Sequence, residues 1–266
     1  MGIIQSLILG LVQGITEFLP ISSSGHLVFA ERLLHVRAGD LVFEVMVHLG
    51  TLAAVIIYFR RQLLDICSAM MRSLTSGEKS AADKSNLQLA WFLVIGTIPA
   101  AIFGYFMEDV VEAAFASPRW TSGEFIVTGL VLISTIWARD RGRALGAWNT
   151  IGIGVAQAIS IMPAISRSGS TIAAGMFSGI NREKAAEFSF LLSIPAIVIA
   201  TVFKMPEFLS LLPDQHLFQI YLGGSLASGI VGYLSVKWLL DIIKKGKFHY
   251  FGIYCILVGI LGLILF

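Results

Sequence analysis

Charge is scarce in this chain. Of its 266 residues only 14% are Asp, Glu, Lys or Arg, against about 25% in a soluble domain. The net charge of +2 leaves no basic footprint, so nucleic acid is not expected as a partner. Cysteine is nearly absent as well. Cys67 is expected in a polar loop and Cys255 in an apolar run, with no CxxC and no zinc spacing, so both read as unpaired thiols. The first residues lack a basic n-region, and Gln13 and Glu17 interrupt their apolar run, so a signal peptide is not expected. What fills the chain is apolar: 56% of residues are A, V, I, L, M, F, W, Y or C. Neither a soluble domain of this size nor a disordered chain carries that composition. An integral membrane protein is the expectation.

A hydrocarbon core of ~30 Å takes about 20 mostly apolar residues to cross. Six stretches qualify, at about 41–59, 88–107, 124–138, 186–203, 217–239 and 249–266, the third extending at its N-terminal end. Two more, about 3–34 and 148–180, are apolar but broken. Pro20 with Ser22, Ser23, Ser24 and Gly25 breaks the first; Pro163 with Ser166, Arg167, Ser168 and Gly169 breaks the second. Each half is too short to span, so each pair reads as a re-entrant helical hairpin. Irregular backbone at membrane depth is tolerated only where protein buries it or a cavity needs it. Both breaks are therefore candidate site walls.

The breaks are copies. An offset of 144 carries Gly10 to Gly154, Gln13 to Gln157, Ser22 to Ser166, Ser24 to Ser168 and Gly25 to Gly169. The expected fold is an all-α polytopic membrane protein, a single domain over 1–266. It is built as an inverted repeat, about 1–143 and 144–266, each half one re-entrant hairpin plus three transmembrane helices. Charge placement agrees. With the 60–87 loop cytoplasmic, Arg60, Arg61, Arg72, Lys79, Lys84, Arg139, Arg141, Arg143, Arg182, Lys184, Lys237, Lys244, Lys245 and Lys247 lie inside. Only Arg32, Arg37, Arg119 and Lys204 lie outside, a strong positive-inside bias. Both termini and the mouth of the first hairpin then face outward.

Polar groups at membrane depth are costly and need a reason. The first break offers Gln13, Glu17, Ser22, Ser23, Ser24 and His26, with Gln13 and Glu17 on one helix face. The second offers Gln157, Ser166, Arg167, Ser168, Ser170 and Thr171, and Arg167 is the one cation inside an apolar segment. Each serine-glycine run opens a half-helix whose free N–H groups suit an anion. Arg167 adds a bidentate fork for phosphate. Glu17 would repel a bare phosphate, and makes sense if it binds a bridging divalent cation or polarises a hydroxyl or imidazole. Ser23 and His26 are then nucleophile and proton carrier. Plainer readings stand beside these: serines that only cap helices, an inert Glu17–Arg167 pair, and a His26 that merely bonds a neighbouring helix. His48 reads as part of an apolar crossing face, and His35, His216 and His249 as surface residues.

At these residues the sequence resembles the undecaprenyl-pyrophosphate phosphatase family, also called bacitracin-resistance proteins. Gln13 to His26 resembles its (E/Q)xxxE segment and the serine-glycine-histidine run that follows; Pro163 to Thr171 resembles its PGxSRSxxT motif. Phe43-Glu44 and the EFSFLL run from Glu187 extend the likeness over essentially the whole chain. Gln13 stands where many members carry a second glutamate, and Ala164 replaces the motif glycine. The resemblance implies hydrolysis of a polyprenyl diphosphate to the monophosphate plus phosphate, recycling the lipid carrier for peptidoglycan, at the outer face of a prokaryotic plasma membrane. It implies a divalent cation, Mg2+ or Ca2+, at Glu17, and catalytic roles for Glu17, Ser23, His26 and Arg167. Gln13, Ser22, Ser24, Gly25, Ser166, Ser168, Gly169 and Thr171 are the expected substrate contacts. Position favours Ser23 as the attacking group and chemistry leaves His26 open; a homodimer is open too. The rival function is a secondary transporter or lipid flippase for a phosphate-bearing anion, since inverted repeats with midplane anion sites are transporter features.

Overall fold

The computed structural model describes residues 1–36, 41–75, 80–115, 117–203, 205, 206, 209 and 214–266. Among them there is no strand, only one isolated bridge between Arg143 and Ile180. The helices are α1 (Ile3–Thr16), α2 (Ser23–Leu33), α3 (Leu41–Tyr58), α4 (Arg60–Thr75), α5 (Ala81–Phe106) and α6 (Glu108–Phe115). Then come α7 (Pro118–Ser134), α8 (Ala147–Ile159), α9 (Arg167–Phe177), α10 (Arg182–Phe203), α11 (Gln215–Lys244) and α12 (Tyr250–Leu265). The described residues form an all-α fold.

Among the described residues four stretches are long and apolar enough to cross a membrane: Ala81–Phe106, Pro118–Trp137, Arg182–Phe203 and Gln215–Lys244. A fifth arises if Val42–Tyr58 and Arg60–Thr75 count together, but they are bent by 76°. Of the six expected crossings, the one at 249–266 is a 16-residue helix. At 1.5 Å per residue that is about 24 Å, short of a ~30 Å core. Within the most apolar windows of the four long helices only 22–44% of residues are buried inside the protein. The remaining apolar faces look outward, as they do in a multi-pass membrane protein. The expected 60–87 loop is different in kind. It contains the 16-residue helix α4, so Cys67 is an exposed helical residue, not a loop one. Its alternation of charged and apolar residues matches the 3.6-residue period, which a search for long apolar runs does not register.

Both breaks are built from the same local chemistry. In the first, Ile21 N–H closes a tight turn on the Leu19 carbonyl at 2.7 Å; in the second, Ile165 N–H does so on Pro163 at 2.7 Å. Ser22 then caps α2 by accepting from the Gly25 amide at 3.3 Å, and Ser166 caps α9 by accepting from Gly169 at 3.1 Å. Ala164 explains why its motif position favours glycine: it is held at φ +56°, a conformation costing an L-residue roughly 1–2 kcal/mol. Thr128 clasps this turn, donating to the Ala164 carbonyl at 2.8 Å and accepting from the Ser166 amide at 3.2 Å.

Backbones approach closely where glycines meet. α1 packs on α11 with Gly10 against Gly224, and α8 packs on α5 with Gly154 against Gly96. α7 and α12 meet through Gly129, Gly252 and Gly259. Small residues let membrane helices reach such distances without side chains in the way. Phe18, Phe125, Phe188 and Phe190 fill the core around the first break and the helices beside it. Phe18 and Phe190 meet edge to face at 5.6 Å, a geometry worth about 0.5–1.5 kcal/mol beyond burial.

Candidate functional site

Glu17 lies at the end of α1, where the helix stops ahead of Pro20. It is 7% exposed, so its carboxylate is satisfied by protein groups, not water. Gln13, one turn earlier and fully buried, donates from Nε2 to Glu17 Oε2 at 2.9 Å. Ser23, the first residue of α2, donates from Oγ to the same oxygen at 2.5 Å. Arg167, the first residue of α9, donates from Nη2 to Oε1. The two breaks thus converge on one carboxylate, although 150 residues separate Glu17 from Arg167. Arg167 Nη1 is buried with no partner, which leaves one arm of the fork unused.

The remaining expected residues divide. Ser22 and Ser166 are caps, each also 3.2–3.3 Å from the hydroxyl two residues on, Ser24 or Ser168. Ser168 donates to the Leu19 carbonyl at 3.0 Å, tying the breaks together. Gly25 and Gly169 donate their amides to the caps. At the starts of α2 and α9 the amides of Ser23, Ser24, Arg167 and Ser168 have no intrahelical acceptor, the usual condition of a first turn. Thr171 Oγ1 lies 2.8 Å from the Arg167 carbonyl and 3.3 Å from that of Ser168. Thr171 is fully buried and pairs with Ser189 of α10 at 2.6 Å.

His26 does not join the Glu17 cluster through either ring nitrogen. Nδ1 donates to the Ser22 carbonyl at 2.7 Å, and Nε2 pairs with the Tyr254 hydroxyl of α12 at 2.8 Å. Its ring stacks on Tyr254 and meets Phe125 edge-on. Instead α3 brings in a histidine that hydropathy treated as a face residue. His48 Nε2 stands 3.6 Å from Glu17 Oε2. Its only sequence signal is a polar group inside an apolar crossing, 31 positions from Glu17.

The donors around Glu17 are few. Among the described residues no group of three or more His, Cys, Asp or Glu could enclose one. Glu17 offers a carboxylate, and Gln13 Oε1 is buried without a partner beside it. One carboxylate and one amide oxygen fit a hard ion that takes its other ligands from water and substrate phosphates.

With this geometry in view, the comparisons fall into one pattern. The family model described as bacitracin resistance protein BacA matches residues 6–261. A protein named undecaprenyl-diphosphatase from Korarchaeum cryptofilum is 41% identical over 98% of both chains. One of the same name from Desulfatibacillum aliphaticivorans is 38% identical over 96% of both chains. A third, from Methanobrevibacter smithii, is 40% identical over 98% of this chain and 96% of its own. The matched region holds both breaks and the Glu17 cluster, and the chain belongs to the bacitracin resistance protein BacA family.

Proposed function

We propose that the chain hydrolyses undecaprenyl diphosphate to the monophosphate and inorganic phosphate, recycling a lipid carrier for cell-wall synthesis and so conferring bacitracin resistance. The reading is supported by relatives of that name covering nearly the whole chain. The observation that carries it is the Ser23 hydroxyl on the Glu17 carboxylate, with Arg167 on the opposite oxygen. Glu17 Oε2 takes the Ser23 proton, and Oγ attacks the terminal phosphorus. The bond from phosphorus to the bridging oxygen breaks and the prenyl monophosphate leaves. Water then cleaves the phosphoserine, releasing phosphate and restoring the hydroxyl. Arg167 turns its free arm to the diphosphate and stabilises charge on the transferring group. His26 Nε2, now paired with the Tyr254 hydroxyl, is the candidate to take up a proton from bulk water and hand it to the leaving oxygen, Nδ1–H staying on the Ser22 carbonyl. A divalent cation held by Glu17 and Gln13 would supply charge neutralisation on the diphosphate. The test is phosphate release from farnesyl and undecaprenyl diphosphates by purified chain in detergent. Release that EDTA abolishes is expected; a pure transporter releases none.

Arg167→Lys keeps the charge and loses the fork. Its rate is expected to fall below about a tenth of wild type, a barrier increase of ~1.4 kcal/mol or more. Steady-state phosphate release measures it. A near-normal rate would reduce Arg167 to a structural ion pair.

The halves are read as inverted repeats. Support comes from the matched turns and caps of the two breaks, and from the reciprocal packing of α1 on α11 and α8 on α5. The positive-inside count puts the 60–87 and 139–148 segments in the cytoplasm and the site toward the outer face of the plasma membrane. Cysteines introduced singly at positions 266 and 79 in intact cells are expected to label with an impermeant maleimide at 266 only. Labelling at 79 would invert the orientation.

A further inference from the structure

We propose that His48 is a ligand of the divalent cation at Glu17, and that its imidazole gives the site a preference for Mn2+ over Ca2+. The inference rests on the proposed cation-dependent hydrolysis, in which Glu17 and Gln13 are the other protein donors. Four features of α3 and α1 carry it.

The first is the tautomer. His48 Nδ1 lies 2.6 Å from the Glu44 carbonyl one turn earlier in α3. A carbonyl only accepts, so Nδ1 carries hydrogen, and in the neutral ring, the form a metal takes, Nε2 keeps its lone pair. Metal-bound imidazoles are held in this manner, with the distal N–H donated to a backbone carbonyl or carboxylate. The second is spacing. Nε2 is 3.6 Å from Glu17 Oε2. Two donors each about 2.1 Å from one ion stand about 3.0–3.4 Å apart at octahedral or tetrahedral angles, so closing on an ion takes a few tenths of an ångström. The third is Gln13. Its Nε2 donates to that same oxygen while Oε1 is buried with no partner. A half-turn of the amide exchanges the two ends and aims the unused oxygen at the ion. The fourth is access. The side chain of Glu17 is 5% exposed and that of His48 29%, so His48 marks the side from which an ion enters.

The chemistry of the set decides the ion. Carboxylate and amide oxygens alone suit Mg2+ and Ca2+; one imidazole nitrogen shifts preference toward first-row transition ions. Mn2+ accepts both donor types and is paramagnetic, so it serves as the probe.

Purified full-length chain in detergent, with any affinity tag removed, is titrated with Mn2+ and the free ion followed by electron paramagnetic resonance. Ca2+ is measured by competition. One saturable Mn2+ site is expected in wild type, lost in Glu17→Gln. His48→Gln is expected to weaken Mn2+ by at least about tenfold and Ca2+ by less than about threefold, so the Mn2+/Ca2+ selectivity falls. A packing role for His48 would move both ions together or neither, and that result overturns the proposal. Pulsed electron paramagnetic resonance of Mn2+ on wild-type chain needs no variant: directly bound imidazole nitrogen gives a modulation that an all-oxygen site lacks. EDTA-sensitive phosphate release without that modulation overturns the ligand assignment alone. Modulation without phosphate release overturns the hydrolase reading and leaves the ligand assignment standing.

Discussion

Ser23→Ala is expected to remove turnover while leaving the chain folded. The hydroxyl is the group held on the Glu17 carboxylate, at 2.5 Å, and it stands at the start of α2 where first-turn amides are free. A serine is a weak nucleophile until a base draws off its proton, and the Glu17 contact is that arrangement. Deleting a nucleophile that acts together with its base removes most of the rate at once, so a loss of at least about a thousandfold is expected. The fold should survive. Ser22, not Ser23, caps α2, and alanine is a good helix former at the first position. Phosphate release and an unfolding midpoint measured on the same preparation check both halves of this expectation. His26→Ala should instead leave a slow, pH-dependent residual rate. An acid-labile, alkali-stable phosphoryl adduct on His26 would transfer the nucleophile role to the imidazole. Continued turnover by Ser23→Ala with no adduct on either residue would point to direct attack by water.

A large structural effect is expected at Gly10. A methyl there would stand 2.2 Å from the Gly224 carbonyl oxygen, and Gly224 belongs to the 30-residue helix α11. Backbone in the middle of a long packed helix yields little, so the two helices must separate or tilt. Overpacking of this kind costs about 1–3 kcal/mol and occasionally more. Near the top of that range it lowers the midpoint of a chain this size by roughly 10 °C. Gly154→Ala meets the Gly96 carbonyl at 2.6 Å and should behave alike. Gly123→Ala and Gly152→Ala are the controls. Both are helical, and a methyl at either meets nothing within 4 Å. Alanine is the better helix former, so these two should leave the midpoint unchanged or slightly raised. Thermal unfolding of all four variants in one detergent makes the comparison. Equal midpoints across them would mean that α1 and α11 are not in the contact described.

Much of the site could be read along the chain because its parts are local. Gln13 and Glu17 fall on one face by helical spacing alone. The Ser-x-x-Gly runs place a cap and a helix start within four residues, and Pro20 and Pro163 sit where the preceding helices end. One expectation differs from the structure because hydropathy averages over position. Low mean hydropathy makes amphipathic α4 read as loop although its period is helical. Thr171 is expected at the site by its place in a motif, and its hydroxyl lies 2.8 Å from the Arg167 carbonyl and 2.6 Å from the Ser189 hydroxyl.

Membrane residence, helical class, the two breaks and the caps were settled by the sequence itself, because hydropathy, proline and side-chain capping act within a turn or two. The meeting of the breaks belongs to the tertiary structure. Arg167 reaches Glu17 across 150 residues only because α9 and α1 end at a common point, tied by Ser168 on the Leu19 carbonyl. His48 faces Glu17, and His26 turns to Tyr254, through the docking of α3 and α12 beside α1 and α2. Those placements follow from crossing angles and small-residue contacts between helices distant in sequence. No short segment carries them, since each side chain's neighbour is chosen by packing, not by spacing.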